Sequence, residues 1–65
     1  MNSEQLVELV KEVVELEDIT LESELDEELW DSLAVVTFIS LVNERFDIVV
    51  PAEKVISANV VKDLL

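Results

Sequence analysis

The stretch WDSLAVVTFISLVNERFDIVVP, residues 30–51, decides the fold. From Ser32 to Phe46 it contains neither Gly nor Pro, and Val35, Phe38, Ile39, Val42 and Phe46 recur at the spacing of one helix face. Asp31 carries the short side-chain acceptor that suits an N-cap, so a helix is expected over 32–46, with Ser32 on its first turn. Those five apolar residues are the expected core face. Leu33, Val36, Thr37, Ser40 and Glu44 fall on a different face, and the apolar pair beside Ser32 is where a docking surface is expected. Arg45 suits the negative end of the helix dipole, and Asp47 breaks the pattern. Ile48, Val49 and Val50 are β-branched, and Pro51 biases Val50 toward extended backbone, so a buried connector without a partner strand is expected.

Ser32 is the candidate functional residue. Backbone N–H groups without intrahelical partners surround a hydroxyl on a helix's first turn, and such a position suits a phosphoester. Asp-Ser also starts helices for capping alone, so the pair by itself leaves both roles open. A catalytic nucleophile is disfavoured. The chain has no histidine, and Lys11, Arg45, Lys54 and Lys62 stand outside any triad spacing.

Before this stretch, Asn2 and Ser3 offer N-cap acceptors and Glu4 an anion for the first turn. Leu6, Leu9, Val10, Val13 and Val14 then line one side of a helix, with Glu8, Lys11, Glu12 and Glu15 opposite. That helix is expected to end near Leu16 or Glu17 and to face a core, because a membrane-surface helix would carry more Lys and Arg. From Asp18 to Leu29 carboxylates alternate with Ile19, Leu21, Leu25 and Leu29, which predicts a loop pinned to the core, with Thr20 to Ser23 as a turn start. Beyond residue 50, Pro51 is expected at the first position of a short helix from Ala52 to Ile56. Asn59 is the expected cap of a last helix carrying Val60, Val61, Leu64 and Leu65.

Sixty-five residues suffice for one small domain, spanning 1–65, near the size at which a single core is marginal. With no cysteine and no histidine, disulfides, thiolate metal sites and the usual neutral-pH base are excluded. No glycine is present for a calcium loop of the EF-hand type, and no dedicated metal site is expected. Sixteen acidic residues against four basic ones give a formal net charge of −12, which argues against nucleic acid and anionic membrane as partners. The same charge favours basic partners, and it also keeps a chain that is 51% hydrophobic soluble. Neither a membrane span nor a signal peptide is indicated, so a cytoplasmic monomer is the default expectation.

The segment W-D-S-L-A followed by V-V-T-F-I-S-L-V-N-E-R-F-D-I-V-V-P resembles the part of acyl and peptidyl carrier proteins that bears 4′-phosphopantetheine on the serine of an Asp-Ser-Leu motif. The Glu44-Arg45-Phe46-Asp47 helix end, the valine pair and Pro51 resemble that family's second helix terminus, and the likeness runs from Leu6 to Leu65. It implies an all-α, four-helix carrier-protein bundle of three longer helices and one short helix, with a long loop between the first two. The resemblance also implies that Ser32 receives phosphopantetheine from coenzyme A through a phosphopantetheinyl transferase, with Asp31 helping to orient the serine. An acyl- or aminoacyl-loading ligase and downstream acyl-processing enzymes are then the implied partners, meeting Leu33 and Val36.

Two departures narrow the resemblance. Leu29 and Trp30 stand where many members have a glycine, as in some stand-alone carriers with tryptophan there. Ala34, Thr37 and Asn43 stand where fatty-acid carriers have acidic residues, leaving only Glu44, which points to a specialised biosynthetic pathway. The alternative from another class is an unmodified acidic helical protein-interaction domain.

Overall fold

The computed structural model describes residues 1–65. Three α-helices, α1 (Ser3–Val14), α2 (Ser32–Phe46) and α3 (Ala52–Ser57), are followed by a 3₁₀ helix, Val61–Leu64. The fold is all-helical, as expected, but only α1 and α2 are long. The last element is a single 3₁₀ turn rather than a longer helix, and the one strand-like feature is an isolated antiparallel bridge between Glu24 and Val60.

Each long helix starts where its side chains supply caps. The Asn2 Oδ1 accepts the Gln5 N–H at 2.8 Å and the Gln5 Oε1 accepts the Asn2 N–H at 2.9 Å, so two orphan donors are satisfied reciprocally. Asp31 Oδ1 accepts the Ala34 N–H at 2.8 Å, which fixes Ser32 as the first residue of α2.

Both long helices end on a left-handed residue. Glu15 (φ 59°) stops α1 at Val14, short of the expected Leu16 or Glu17, and Asp47 (φ 54°) stops α2 while donating its N–H to the Asn43 carbonyl at 3.0 Å. These positions usually fall to glycine, which this chain lacks, so each cap carries the steric cost of a Cβ. Glu15 also adds a negative charge at the negative end of the α1 dipole. Glu15→Gly is therefore expected to stabilise the fold by about 1 kcal/mol, and by more than Asp47→Gly, since Asp tolerates this conformation better. Thermal melts of the two variants check it, a gain of that size corresponding to a rise of about 4–8 °C.

Phe38 is fully buried, as are Leu6, Val10, Val42, Val55 and Val61, and every buried residue is apolar. Thus α1, α2, α3 and the 3₁₀ helix each contribute a wall to one core. Val13, Val14, Ile39 and Phe46, from the expected core faces, pack at its edge, half-buried. Ala34, which stands where fatty-acid carriers have an acidic residue, is buried too.

The acidic loop is ordered by its apolar residues and its backbone. Ile19 and Leu25 are buried, and Thr20 to Ser23 form the expected turn, with the Thr20 N–H on Ser23 Oγ at 2.8 Å. Leu25 N–H donates to the Asn59 carbonyl at 2.8 Å, Val61 N–H to Ser23 at 3.0 Å and Lys62 N–H to Leu21 at 2.9 Å. The loop is thereby laced to the C-terminal segment. No three of its carboxylates converge as cation ligands would.

Three expectations for the second half change. The Ile48–Val50 connector is largely exposed, Val49 at 82%, because the left-handed turn at Asp47 carries the chain off the core and only Val50 packs back onto it. Pro51 is the N-cap of α3 instead of its first residue, and the helix runs on to Ser57. Asn59 does not cap the last helix: Asp63 Oδ2 accepts the N–H groups of Asn59 and Val60 at 3.1 and 3.2 Å, and Val60 is the N-cap residue.

On the surface a bidentate pair ties α1 to α2. Arg45 Nη2 donates to Glu12 Oε1 at 2.8 Å and Nη1 donates to the other oxygen. The hydrogen bond from Arg45 holds the Glu12 carboxyl below its usual value, and the same bond raises the guanidinium further. A carboxyl whose folded pKa lies below its unfolded pKa stabilises the fold above the unfolded value, and that contribution fades as pH falls through the folded one. The melting temperature of Glu12→Gln should accordingly trail the native chain most near neutrality and converge with it in acid. Parallel melts across that range check this, and a gap that persists in acid would remove the pair as its cause.

Candidate functional site at the start of α2

Ser32 stands at the first position of α2, exposed to solvent. Its hydroxyl makes no hydrogen bond within the chain, unlike Ser23 Oγ, which accepts from Thr20, and Ser57 Oγ, which donates to the Glu53 carbonyl at 2.7 Å. The N–H groups of Ser32 and Leu33 have no acceptor within the chain, while those of Ala34 and Val35 are taken by the Asp31 side chain and carbonyl. A free hydroxyl beside two free N–H groups at the positive end of a fifteen-residue helix is a place where a phosphodiester fits.

The sequence on either side of Ser32 provides that anion with no cation. Residues 12–44 contain no Lys or Arg, whereas Asp26, Glu27, Glu28 and Asp31 are exposed close by in sequence. The two larger open grooves, of about 790 Å³ along α1 and about 670 Å³ between α1 and the acidic loop, include no residue from 30–34.

The remaining candidate residues extend along α2. Leu33 is 75% exposed and Val36 60%, a projecting apolar pair one helical turn apart. Thr37 is half-buried, with its hydroxyl returned to the Leu33 carbonyl at 2.8 Å, and Ser40 and Glu44 are exposed farther along. On α3, Ile56 is also exposed, which sequence reasoning did not single out. Its signal was an apolar residue next to the buried Val55 in a helix too short to bury both.

Trp30, read from the sequence only as a departure from the family pattern, packs directly behind the site. Two positions before Ser32, it is buried at 7% exposure, its ring meets Phe38 edge-on with centroids 5.5 Å apart, and its indole Nε1–H donates to the Val55 carbonyl at 3.1 Å. A single tryptophan directly before a helix cap was the available clue.

The family described as phosphopantetheine attachment site matches residues 4–65, nearly the whole chain. Comparison with curated proteins and with solved structures gives no match. The chain belongs to the phosphopantetheine attachment site family, the carrier proteins. It is therefore a carrier of acyl groups rather than an enzyme, and its prosthetic group is a covalently attached 4′-phosphopantetheine.

Proposed function

We propose that the chain is a stand-alone acyl or peptidyl carrier, one domain over residues 1–65, with Ser32 as the attachment residue and a specialised biosynthetic pathway as its setting. The observation that carries this is the exposed, unbonded hydroxyl of Ser32 at the α2 N-terminus, in a chain of this family. In the loading step Ser32 Oγ attacks the phosphorus bearing the pantetheine half of coenzyme A. The adenosine bisphosphate half leaves and the hydroxyl proton passes to a base of the transferase, since no histidine of this chain is available. Asp31 holds the first turn through Ala34 and so keeps the hydroxyl outward. The free N–H groups of Ser32 and Leu33 would be available to hold the phosphodiester of the linkage. When bound, the arm supplies a terminal thiol that holds an acyl, aminoacyl or peptidyl group as a thioester.

Intact mass after incubation with a transferase and coenzyme A, followed by peptide mapping, tests the assignment. A single phosphopantetheine increment on Ser32 is expected. No increment would favour an unmodified acidic interaction domain, and an increment elsewhere would move the site.

The partner surface follows from the same geometry. Ala34 is buried and Thr37 and Asn43 are uncharged, so α2 offers little charge near Ser32, whereas Leu33 and Val36 project. Burying such side chains contributes roughly 25 cal/mol per Å² before association costs. The loading enzyme is therefore expected to dock by apolar contact across Leu33, Val36, Thr37 and Ser40, with Glu44 at the edge. Leu33→Ala or Val36→Asp should slow loading more than Glu44→Gln. Loading rates for the three variants at two salt concentrations decide it: if Glu44→Gln is the most damaging and salt abolishes loading, the surface is read by charge.

A further inference from the structure

Trp30 joins two helix ends that have no other hydrogen bond between them. It directly precedes the N-cap Asp31, the position whose side chain ordinarily fixes how a chain enters a helix by packing one turn in. Here the indole reaches farther and packs edge-on against the fully buried Phe38. Its backbone N–H closes the preceding turn on the Asp26 carbonyl at 2.7 Å, so both sides of residue 30 are held.

The indole N–H goes elsewhere. It donates to the carbonyl of Val55, near the end of α3, where the only other donor is the Ala58 N–H at a long 3.4 Å. α3 has six residues and no side-chain N-cap, which is too short to persist on its own. One aromatic residue thus sets the entry to α2 and caps the exit of α3, and Ser32, with its own hydroxyl unbonded, takes its orientation from that entry.

We propose that Trp30 is a positioning residue for the modification of Ser32: by anchoring the α2 entry to Val55 and Phe38, it holds the hydroxyl in the pose that the transferase uses. The inference rests on the proposed attachment at Ser32. Proximity catalysis is sensitive to misplacement of the attacking atom, so loosening the anchor should act on the chemical step more than on binding of the transferase.

The test compares the full native chain with Trp30→Phe, which keeps a ring but removes the donor. A second variant carries benzothienylalanine at position 30, which preserves the indole's shape and lacks only the N–H. Each is incubated with purified transferase and coenzyme A, well below its melting temperature. Losing one buried hydrogen bond predicts a fall of about three- to tenfold in kcat with KM within about twofold. Amide exchange should quicken at the bonded amides of Ala34, Val35 and Ala58 while α1 amides stay protected. Unchanged kcat in the shape-preserving variant would overturn the inference, as would a rise in KM alone, or exchange quickening equally in α1, which marks loss of global stability. Peptide mapping keeps the two readings apart. Modification found off Ser32 in the native chain defeats the attachment assignment, whereas modification on Ser32 at an unchanged rate in the variants defeats only the role of Trp30.

Discussion

Ser32→Ala is expected to abolish phosphopantetheine transfer outright while leaving the fold unchanged. The hydroxyl is exposed and bonds to nothing in the chain, so its loss removes no packing and leaves no partner unsatisfied. Alanine is also a good helix residue, and a surface change of this kind typically shifts stability by no more than about 0.5 kcal/mol. The remaining serines are poor substitutes. Ser23 and Ser57 are already hydrogen-bonded, and Ser40 lies within α2, away from the free N–H groups of its first turn. Ser3 also opens a helix, but the cap before it is Asn2 and no Asp-Ser-Leu sequence surrounds it. Intact mass and a melt on the same sample check both halves of the expectation. An increment that survives the substitution would show that another side chain is the acceptor.

Phe38→Ala is expected to unfold the domain. Phe38 is fully buried at the point where Trp30 meets α2, in a core with no polar group to compensate. Truncating a buried phenylalanine costs about 3–5 kcal/mol. A single core in a chain of this size rarely supplies more than about 3–5 kcal/mol in all. The variant should lose helical circular dichroism at room temperature, and transfer to Ser32 should fall with it. A cooperative melt close to that of the native chain would show that the core closes over the missing ring.

The long helices were legible because their signals are local. Asp31 and the spacing of Val35, Phe38 and Val42 placed α2 where it is found, and Asn2 placed the start of α1. The end of α1 was not legible, since Leu16 continues the apolar pattern while the backbone turns at Glu15, a residue with no special preference for that conformation. The exposure of Val49 was hidden for a related reason: β-branched residues before a proline look like buried extended chain, and the turn that lifts them off the core is made by Asp47. At the candidate site the cap and the exposed pair Leu33 and Val36 could be read from periodicity. The indole bond from Trp30 to Val55 could not, because it spans twenty-five positions and belongs to no periodic pattern.

The bonds that lace the acidic loop to the C-terminal segment also constrain the order in which this chain becomes structured. The Leu25 N–H and the carbonyls of Ser23 and Leu21 find their backbone partners at Asn59, Val61 and Lys62, beyond the whole of α2 and α3. Those partners follow both long helices in the chain, so α1 can pair with α2 while the loop between them is still open. The backbone that leads into Ser32 therefore settles only when residues 59–62 join the core, and the finished junction depends on a segment far from it in sequence.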